Sequence, residues 1–333
     1  MALGNFLKEN PDIKILIFAG KGGLGKTTCS AAISYYLASK GKKVLCFSTD
    51  PQASLSDIFE IDAFGKGIIE VARNLFLMEI DADKKIKEYQ EEIKKKIIQM
   101  YLLDKIPEEI ENYIDSAAAE PAMYESATYD AMVDVVSKGE FDYYIFDMPP
   151  FGHGVRMISM AEILNLWIDK ISETMKEAAK YEEIIARMRG EKVKENEVIK
   201  ELNYIKTRIN SFTNLITNRK TTAFFMVITP EKLSIDDTEK AIKMFKELKM
   251  DLSGIIVNQV YPKELLNKNI PELLKNRINA QSEYLKEIKS KFGNKVIAII
   301  PMFEKEPKGL KMLESVSQYL AEQDYHLKVF NEL

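Results

Sequence analysis

The segment Gly20-Lys21-Gly22-Gly23-Leu24-Gly25-Lys26-Thr27 decides the fold, because it fits the pattern G-x-x-x-x-G-K-[ST]. It follows an apolar run at residues 13–19 and opens a helix-like stretch at residues 27–39. In such a loop the glycines let successive backbone N–H groups face a phosphate, and the N-terminus of the helix adds its dipole. The segment therefore predicts a phosphate-binding loop between a buried strand and a helix.

Five polar side chains are candidates for chemistry at this loop. Lys26 is expected to reach the β- and γ-phosphates of a nucleotide, and the Thr27 hydroxyl is expected to hold Mg²⁺. Lys21 is poorly placed to reach its own γ-phosphate, so it either acts on the nucleotide of a second subunit or is a solvated surface lysine. Asp50 follows a predicted strand and either orients the attacking water or belongs to an Asp-Pro turn. Asp147 ends another apolar strand and is expected to bind the Mg²⁺ shell through water.

The remaining sequence predicts an α/β fold, in which a mostly parallel sheet flanked by helices carries an inserted helical subdomain. Short apolar runs typical of doubly buried strands recur at residues 44–48, 75–80, 143–146, 223–228, 254–257 and 296–300. Two long charged stretches with a helical period interrupt the alternation, and ordinary long crossover helices are the alternative to a subdomain. We expect a P-loop ATPase core at residues 1–82, 139–156 and 220–333, and the subdomain at residues 83–138 and 157–219.

Composition restricts the class of protein. The 333 residues include 47 Lys and Arg against 51 Asp and Glu, and a net charge of −4 disfavours binding of nucleic acid through bulk charge. Two cysteines, Cys29 and Cys46, cannot build a disulfide framework and predict a reducing, cytoplasmic compartment. No apolar run approaches the roughly 20 residues of a spanning helix, and the N-terminal residues do not have the pattern of a signal peptide.

Residues 21–28 resemble the deviant Walker A motif of the MinD, ParA and nitrogenase-iron-protein class. Other stretches narrow the resemblance to the family of arsenite-pump ATPases and tail-anchored-protein targeting ATPases. Residues 48–57 resemble that family's switch I and residues 146–153 its switch II; residues 257–259 and the pair of segments 301–303 and 309–310 resemble its C-terminal motifs. These motifs occur in family order from residue 15 to about residue 320.

The resemblance implies a Mg²⁺-dependent ATP hydrolase that works as a homodimer. It assigns the hydrolytic aspartate to Asp50 and an action across the dimer to Lys21. It assigns the binding of ATP to Gly22, Gly23, Leu24, Gly25, Lys26, Thr27, Thr28, Glu231 and Asn258. Asn258 carries both a donor and an acceptor, which suits the adenine edge, and Pro301 and Phe303 are expected to pack around the base. The leading role that it implies is to chaperone or target hydrophobic helical client proteins, with the membrane involved only through their delivery.

The sequence departs from the family at its cysteines. The targeting ATPases join two subunits through zinc held by a C-x-x-C, whereas the corresponding residues 270–277 contain no cysteine. Arsenite-pump subunits use a cysteine triad, which this chain also lacks, so the cysteine count opposes arsenite activation. A pump-driving ATPase and a partitioning or regulatory ATPase like MinD or ParA are the alternatives to the leading role. Apolar residues that either line a client groove or fill the subdomain's own core are Met157, Ile158, Met160, Ile163, Leu164, Leu166, Trp167, Met175 and Met188.

Overall fold

The computed structural model describes residues 2–48, 54–101, 103–118, 121–148, 165–175, 197–248 and 250–333. Their contacts divide the chain into two compact units. The first unit lies within residues 1–81, 138–153 and 217–333, and the second lies within residues 82–137 and 154–216. The sequence-based division sets the corresponding breaks after residues 82, 138, 156 and 219.

An eight-stranded sheet forms the centre of the first unit, with the strand order β3-β4-β2-β5-β1-β6-β7-β8. All neighbouring pairs are parallel except β3 and β4, so the predicted α/β fold class is confirmed. The strands are β1 Ile15–Ala19, β2 Val44–Ser48, β3 Ile69–Ala72, β4 Leu75–Glu79, β5 Tyr143–Asp147, β6 Thr222–Ile228, β7 Gly254–Val260 and β8 Val296–Pro301. Every residue of β1, β2, β6 and β8 is buried, which is why these strands read as continuous apolar runs.

Helices cover this sheet. They are α1 Leu3–Glu9, α2 Lys26–Ser39, α3 Ser54–Phe59, α9 Lys232–Glu247, α10 Glu272–Phe292, α11 Gly309–Ser317 and α12 Tyr325–Asn331, with a 3₁₀ turn at Lys263–Asn267 and a π-helical turn at Gln318–Glu322. The helix after the glycine loop, α2, buries small residues such as Ala31, Ala32 and Ser34 against the sheet. It ends at Ser39, as the helix-like stretch at residues 27–39 predicts, and Gly41 just beyond it has a φ of 83°, which suits a helix C-terminus.

The register of the central strands brings the candidate residues to one edge of the sheet. Asp147 at the end of β5 pairs with Phe18 of β1 on one side and with Ser48 of β2 on the other. The glycine loop leaves β1 after Ala19, and the segment that carries Asp50 leaves β2 after Ser48. In open parallel sheets, ligands bind beyond the carboxyl ends of the strands, which is the edge where these segments begin.

All the secondary-structure elements among the described residues of the second unit are helices. Its helices are α4 Ala82–Tyr101, α5 Glu108–Ala118, α6 Pro121–Ser137, α7 at residues 165–175 and α8 Glu197–Thr217. Arg208 of α8 joins two helices, because its Nε is 2.8 Å from Asp130 Oδ1 and its Nη1 is 2.7 Å from Asp134 Oδ1 on α6. Among the described helices of the chain, none combines the length and apolar character that crossing a membrane requires.

Candidate nucleotide-binding site

At two positions of the glycine loop, the backbone conformation and the available space suit only glycine. Gly25 has a φ of 90°, and a Cβ there would lie 2.1 Å from Asn258 Nδ2. Gly20 has a φ of 149°, and a Cβ there would lie 2.4 Å from the carbonyl oxygen of Val227 on β6. Both distances are shorter than a real Cβ contact, so any other residue would displace its neighbours.

Lys26 begins α2 and is buried at the base of the loop, where its Nζ donates to the carbonyl oxygen of Lys21 at 3.2 Å. This places the ammonium inside the curve of the loop, beside the first N–H groups of α2. A positive charge and a helix N-terminus together favour an anion such as a phosphate. The side chain of Lys21 in the same loop is exposed.

Thr27 and Asp147 are the two candidate Mg²⁺ residues, and the structure brings them together. The Thr27 hydroxyl donates to Asp147 Oδ2 at 2.6 Å, and the Asp147 carboxylate is buried at the end of β5. A hydroxyl and a carboxylate side by side offer the oxygen donors that Mg²⁺ prefers. The residues present therefore fit a magnesium ion held next to the phosphates.

A cleft of about 560 Å³ opens over the loop. This volume lies in the range of small-molecule sites. Five parts of the first unit form its walls: the loop and the start of α2, the start of α3, the end of β7, the end of β8 with the segment after it, and Val316 of α11. The predicted ligand-binding residues among its lining are Gly22, Gly23, Gly25, Lys26, Thr27, Thr28, Asn258, Pro301 and Phe303.

Other predicted residues lie elsewhere. Leu24 does not line this cleft but a neighbouring, largely apolar pocket, which it shares with Lys21. Glu231 is the exposed N-cap residue of α9 and is not part of the cleft wall. Asp50 lies outside the described residues. The roles given to Glu231 and Asp50 stay predictions.

Glu79 is a site residue that the sequence analysis missed. Its carboxylate is 1% exposed at the end of β4 and accepts hydrogen bonds from the backbone N–H of Leu55 at 2.6 Å and of Ser56 at 3.1 Å. The Ser56 hydroxyl also donates to Glu79 and in turn accepts from Ala63 N–H at 2.9 Å. Glu79 thus caps α3, whose residues Ser54, Asp57 and Ile58 form one wall of the cleft. Glu79 is the one charged residue of the apolar run at residues 75–80, but no local pattern shows which donors it meets.

The two cysteines are remote from solvent. Cys29 lies on α2 and Cys46 on β2, and both are fully buried. Burial raises the pKa of the Cys46 thiol to about 12, and burial, followed by the negative charge of Asp147, raises the pKa of Cys29. Neither thiol is therefore poised to act as a thiolate ligand.

Comparison with known proteins agrees with this geometry. Residues 13–322 match the family described as anion-transporting ATPases. Two relatives from Aquifex aeolicus are both named as arsenical pump-driving ATPases. The first is 30% identical over 96% of this chain and 82% of its own length. The second is 31% identical over 92% of this chain and 99% of its own length. The get3 ATPase of Schizosaccharomyces pombe is 27% identical over 94% of this chain and 93% of its own length. The resemblance drawn from the sequence motifs is thereby confirmed, and the chain is an ATPase that belongs to the anion-transporting ATPase family.

Proposed function

We propose that the chain binds Mg²⁺–ATP in the cleft over the glycine loop and hydrolyses the bond between its β- and γ-phosphates. The observation that carries this proposal is the arrangement of Lys26, Thr27 and Asp147 at the start of α2, with a cleft of ligand size above them. Asn258, Pro301 and Phe303 also line the cleft, where they can receive the base.

In the reaction, a water oxygen attacks the γ-phosphorus while the bond to the β,γ-bridging oxygen breaks, which yields ADP and inorganic phosphate. Lys26 and the loop N–H groups stabilise the negative charge on the phosphate oxygens. The chemistry that a bound Mg²⁺ supplies is further neutralisation of that charge, and Thr27 and Asp147 would hold it. We assign to Asp50 the orientation of the attacking water and the acceptance of its proton.

Two substitutions test these roles. Lys26→Ala should abolish ATP binding, because it removes the buried charge at the loop. Asp50→Asn should retain ATP binding, since Lys26 and Thr27 remain, and should lower turnover by orders of magnitude. Lys42→Ala, at an exposed lysine just after α2, is the matched control. Near-normal turnover in Asp50→Asn would remove Asp50 from the mechanism, and unchanged ATP affinity in Lys26→Ala would contradict the site itself.

We propose further that the active form is a homodimer in which Lys21 acts on the partner's nucleotide. The exposure of the Lys21 side chain supports this role, and so does the family resemblance. Light scattering should show an ATP-dependent dimer that zinc chelators do not dissociate. Lys21→Ala should then bind ATP normally and hydrolyse it slowly. Full turnover in Lys21→Ala, or a monomer in every nucleotide state, would refute the proposal.

The proposed client is a hydrophobic helix, bound by the second unit in the cytoplasm. Three apolar side chains on α7 support this role, because Leu166 and Trp167 are 69% and 68% exposed and Ile171 is partly exposed one turn further on. Ile168 on the same helix is only 6% exposed. Surface of this kind suits the apolar face of another helix. The predicted groove residues Met157, Ile158, Met160, Ile163, Leu164 and Met188 lie outside the described residues.

Trp167 offers a direct test, because it is the only tryptophan in the sequence. A hydrophobic helical peptide should shift its emission to shorter wavelength and protect it from a collisional quencher. Leu166→Ser should weaken peptide binding without lowering the melting temperature, whereas Ile168→Ser, the matched buried change, should cost several kcal/mol of stability. A Leu166→Ser variant that unfolds as readily as Ile168→Ser would show that these residues are core.

A second candidate function follows from the names of the Aquifex aeolicus relatives, which describe arsenical pump-driving ATPases. Trivalent arsenic is a thiophilic ligand that requires accessible cysteine sulfurs. The two cysteines of this chain are buried, with raised thiol pKa values. Stimulation of ATP turnover by arsenite would favour this second function over the capture of a helical client.

A further inference from the structure

Two neighbouring side-chain amides at the end of β7 contact two neighbouring carbonyl groups of the glycine loop. Asn258 Nδ2 donates to the carbonyl oxygen of Leu24 at 2.9 Å, and Gln259 Nε2 donates to that of Gly23 at 3.4 Å. More than 230 residues of sequence separate the amides from the loop. We infer that Asn258 and Gln259 form an amide clamp that orients the phosphate loop, in addition to any contact with the base.

The planarity of the peptide bond explains how such a clamp acts. In each trans peptide the C=O and the N–H of the next residue point in opposite directions. Holding the carbonyls of Gly23 and Leu24 toward β7 therefore turns the N–H groups of Leu24 and Gly25 away from it. Phosphate loops bind their ligand through such N–H groups. The clamp should thus set the loop before any phosphate arrives, and Asn258 and Gln259 act as positioning residues.

The backbone around the clamp is built to present these two amides. Gln259 has a φ of 59°, which is unfavourable for a residue other than glycine, and the pairing of β7 with β8 shifts between Val257 and Val260. A bulge of this kind re-aims the side chains next to it. On the facing side, Gly25 leaves room for the Asn258 amide, since a Cβ would lie 2.1 Å from its nitrogen.

The strand end beyond the bulge is also fixed. Gln281, which is buried on α10, accepts from the N–H of Tyr261 at 3.0 Å and donates to its carbonyl oxygen at 2.9 Å. One side chain thereby satisfies both backbone groups of the residue that follows Val260. The bulge is held between a continuous strand on one side and this paired contact on the other, so the clamp has a rigid support.

A ligand that has phosphates but no base distinguishes the effect of the clamp on the phosphate loop from any effect on the recognition of adenine. The inference rests on the proposed function, so binding of Mg²⁺–ATP by the unaltered protein is measured first by calorimetry, and its failure would refute that function. Mg²⁺–tripolyphosphate is then titrated against the unaltered protein and the variants. Asn258→Ala should bind tripolyphosphate about tenfold more weakly, the effect of one net hydrogen bond, and Gln259→Ala should show a smaller loss of about threefold.

Two further variants make the test decisive. Gln259→Gly removes the amide but suits a positive φ, so it should be at least as stable as the unaltered protein and still bind tripolyphosphate more weakly. Met302→Ala changes a lining residue of the cleft outside the clamp and should weaken the binding of ATP without affecting that of tripolyphosphate. Tripolyphosphate affinities that match the unaltered protein in Asn258→Ala and Gln259→Gly would overturn the clamp. A protein that binds ATP but not tripolyphosphate would overturn it too, because a preset loop needs no base.

Discussion

Removal of the Glu79 carboxylate should loosen α3 and with it one wall of the ATP cleft. Glu79 accepts hydrogen bonds from the N–H groups of Leu55 and Ser56 and from the Ser56 hydroxyl. Glu79→Ala leaves these donors without their acceptor, whereas Glu79→Gln keeps the shape and one acceptor oxygen. The neighbouring strand β3 carries the exposed Glu70, and Glu70→Ala is the matched control.

The expected loss in the free energy of opening α3 follows from the buried N–H donors that Glu79 satisfies. Each N–H deprived of its partner costs about 1–3 kcal/mol, and water that enters beside the shortened side chain recovers part of this. We therefore expect Glu79→Ala to lower the free energy of opening α3 by about 2–4 kcal/mol, and Glu79→Gln by roughly half as much. Since about 1.4 kcal/mol corresponds to a factor of ten, the alanine variant should open α3 roughly 30 to 1,000 times more often.

Hydrogen exchange measures this opening at amides that do not themselves contact Glu79. The Ile61 N–H, which donates to the Ser56 carbonyl oxygen at 3.0 Å, and the helical amides of Ile58 and Phe59 report on α3. Their exchange should accelerate in Glu79→Ala, by less in Glu79→Gln, and not in Glu70→Ala. ATP affinity should fall in the same order. Exchange within about threefold of the unaltered protein in Glu79→Ala would refute the anchoring role.

Three further predictions concern other parts of the chain. Burial lowers the pKa of His326 to about 4, so the unfolded chain binds this proton more readily. Stability should be full above about pH 6.5 and should fall by about 1–2 kcal/mol as the pH is lowered from there to pH 5. Urea unfolding of His326→Gln should show a smaller fall, and an equal one would contradict the assignment. Arg208→Ala should destabilise the second unit by about 2 kcal/mol, since it breaks the ion pairs with Asp130 and Asp134. In the same urea unfolding experiment, the control Lys85→Ala, which removes an exposed ion pair with Glu88, should cost less than about 0.5 kcal/mol. Gly25→Ala should lower the melting temperature, because it adds a Cβ at a φ of 90° beside Asn258, while Gly22→Ala, whose Cβ would meet nothing within 4 Å, should not.

The parts of the fold that the sequence predicts are those whose local pattern has one physical meaning. Parallel strands buried on both faces must be apolar throughout, so β1, β2 and β6 stand out. The edge strand β3 was missed because it is antiparallel, only partly buried and includes the charged Glu70. The short helix α1, Leu3–Glu9, was also missed, since two turns carry too little periodicity to be read.

The residues of the site also differ in how far the sequence predicts them. The glycine loop is contiguous, so its spacing predicts Lys26 and Thr27 directly. The cap that Glu79 provides and the contacts of Asn258 and Gln259 with the loop depend on tertiary register, for which no local pattern exists. On α7 the sequence could not separate surface from core, whereas the structure exposes Trp167 and buries Ile168.

The most direct test of the account is a crystal structure of the protein with Mg²⁺ and a non-hydrolysable ATP analogue. We expect the triphosphate on the N–H groups of the glycine loop, Mg²⁺ on the Thr27 hydroxyl next to Asp147, and the base between Asn258 and residues 301–303. Nucleotide bound away from this cleft, or a metal ion that ignores both Thr27 and Asp147, would contradict the proposed site.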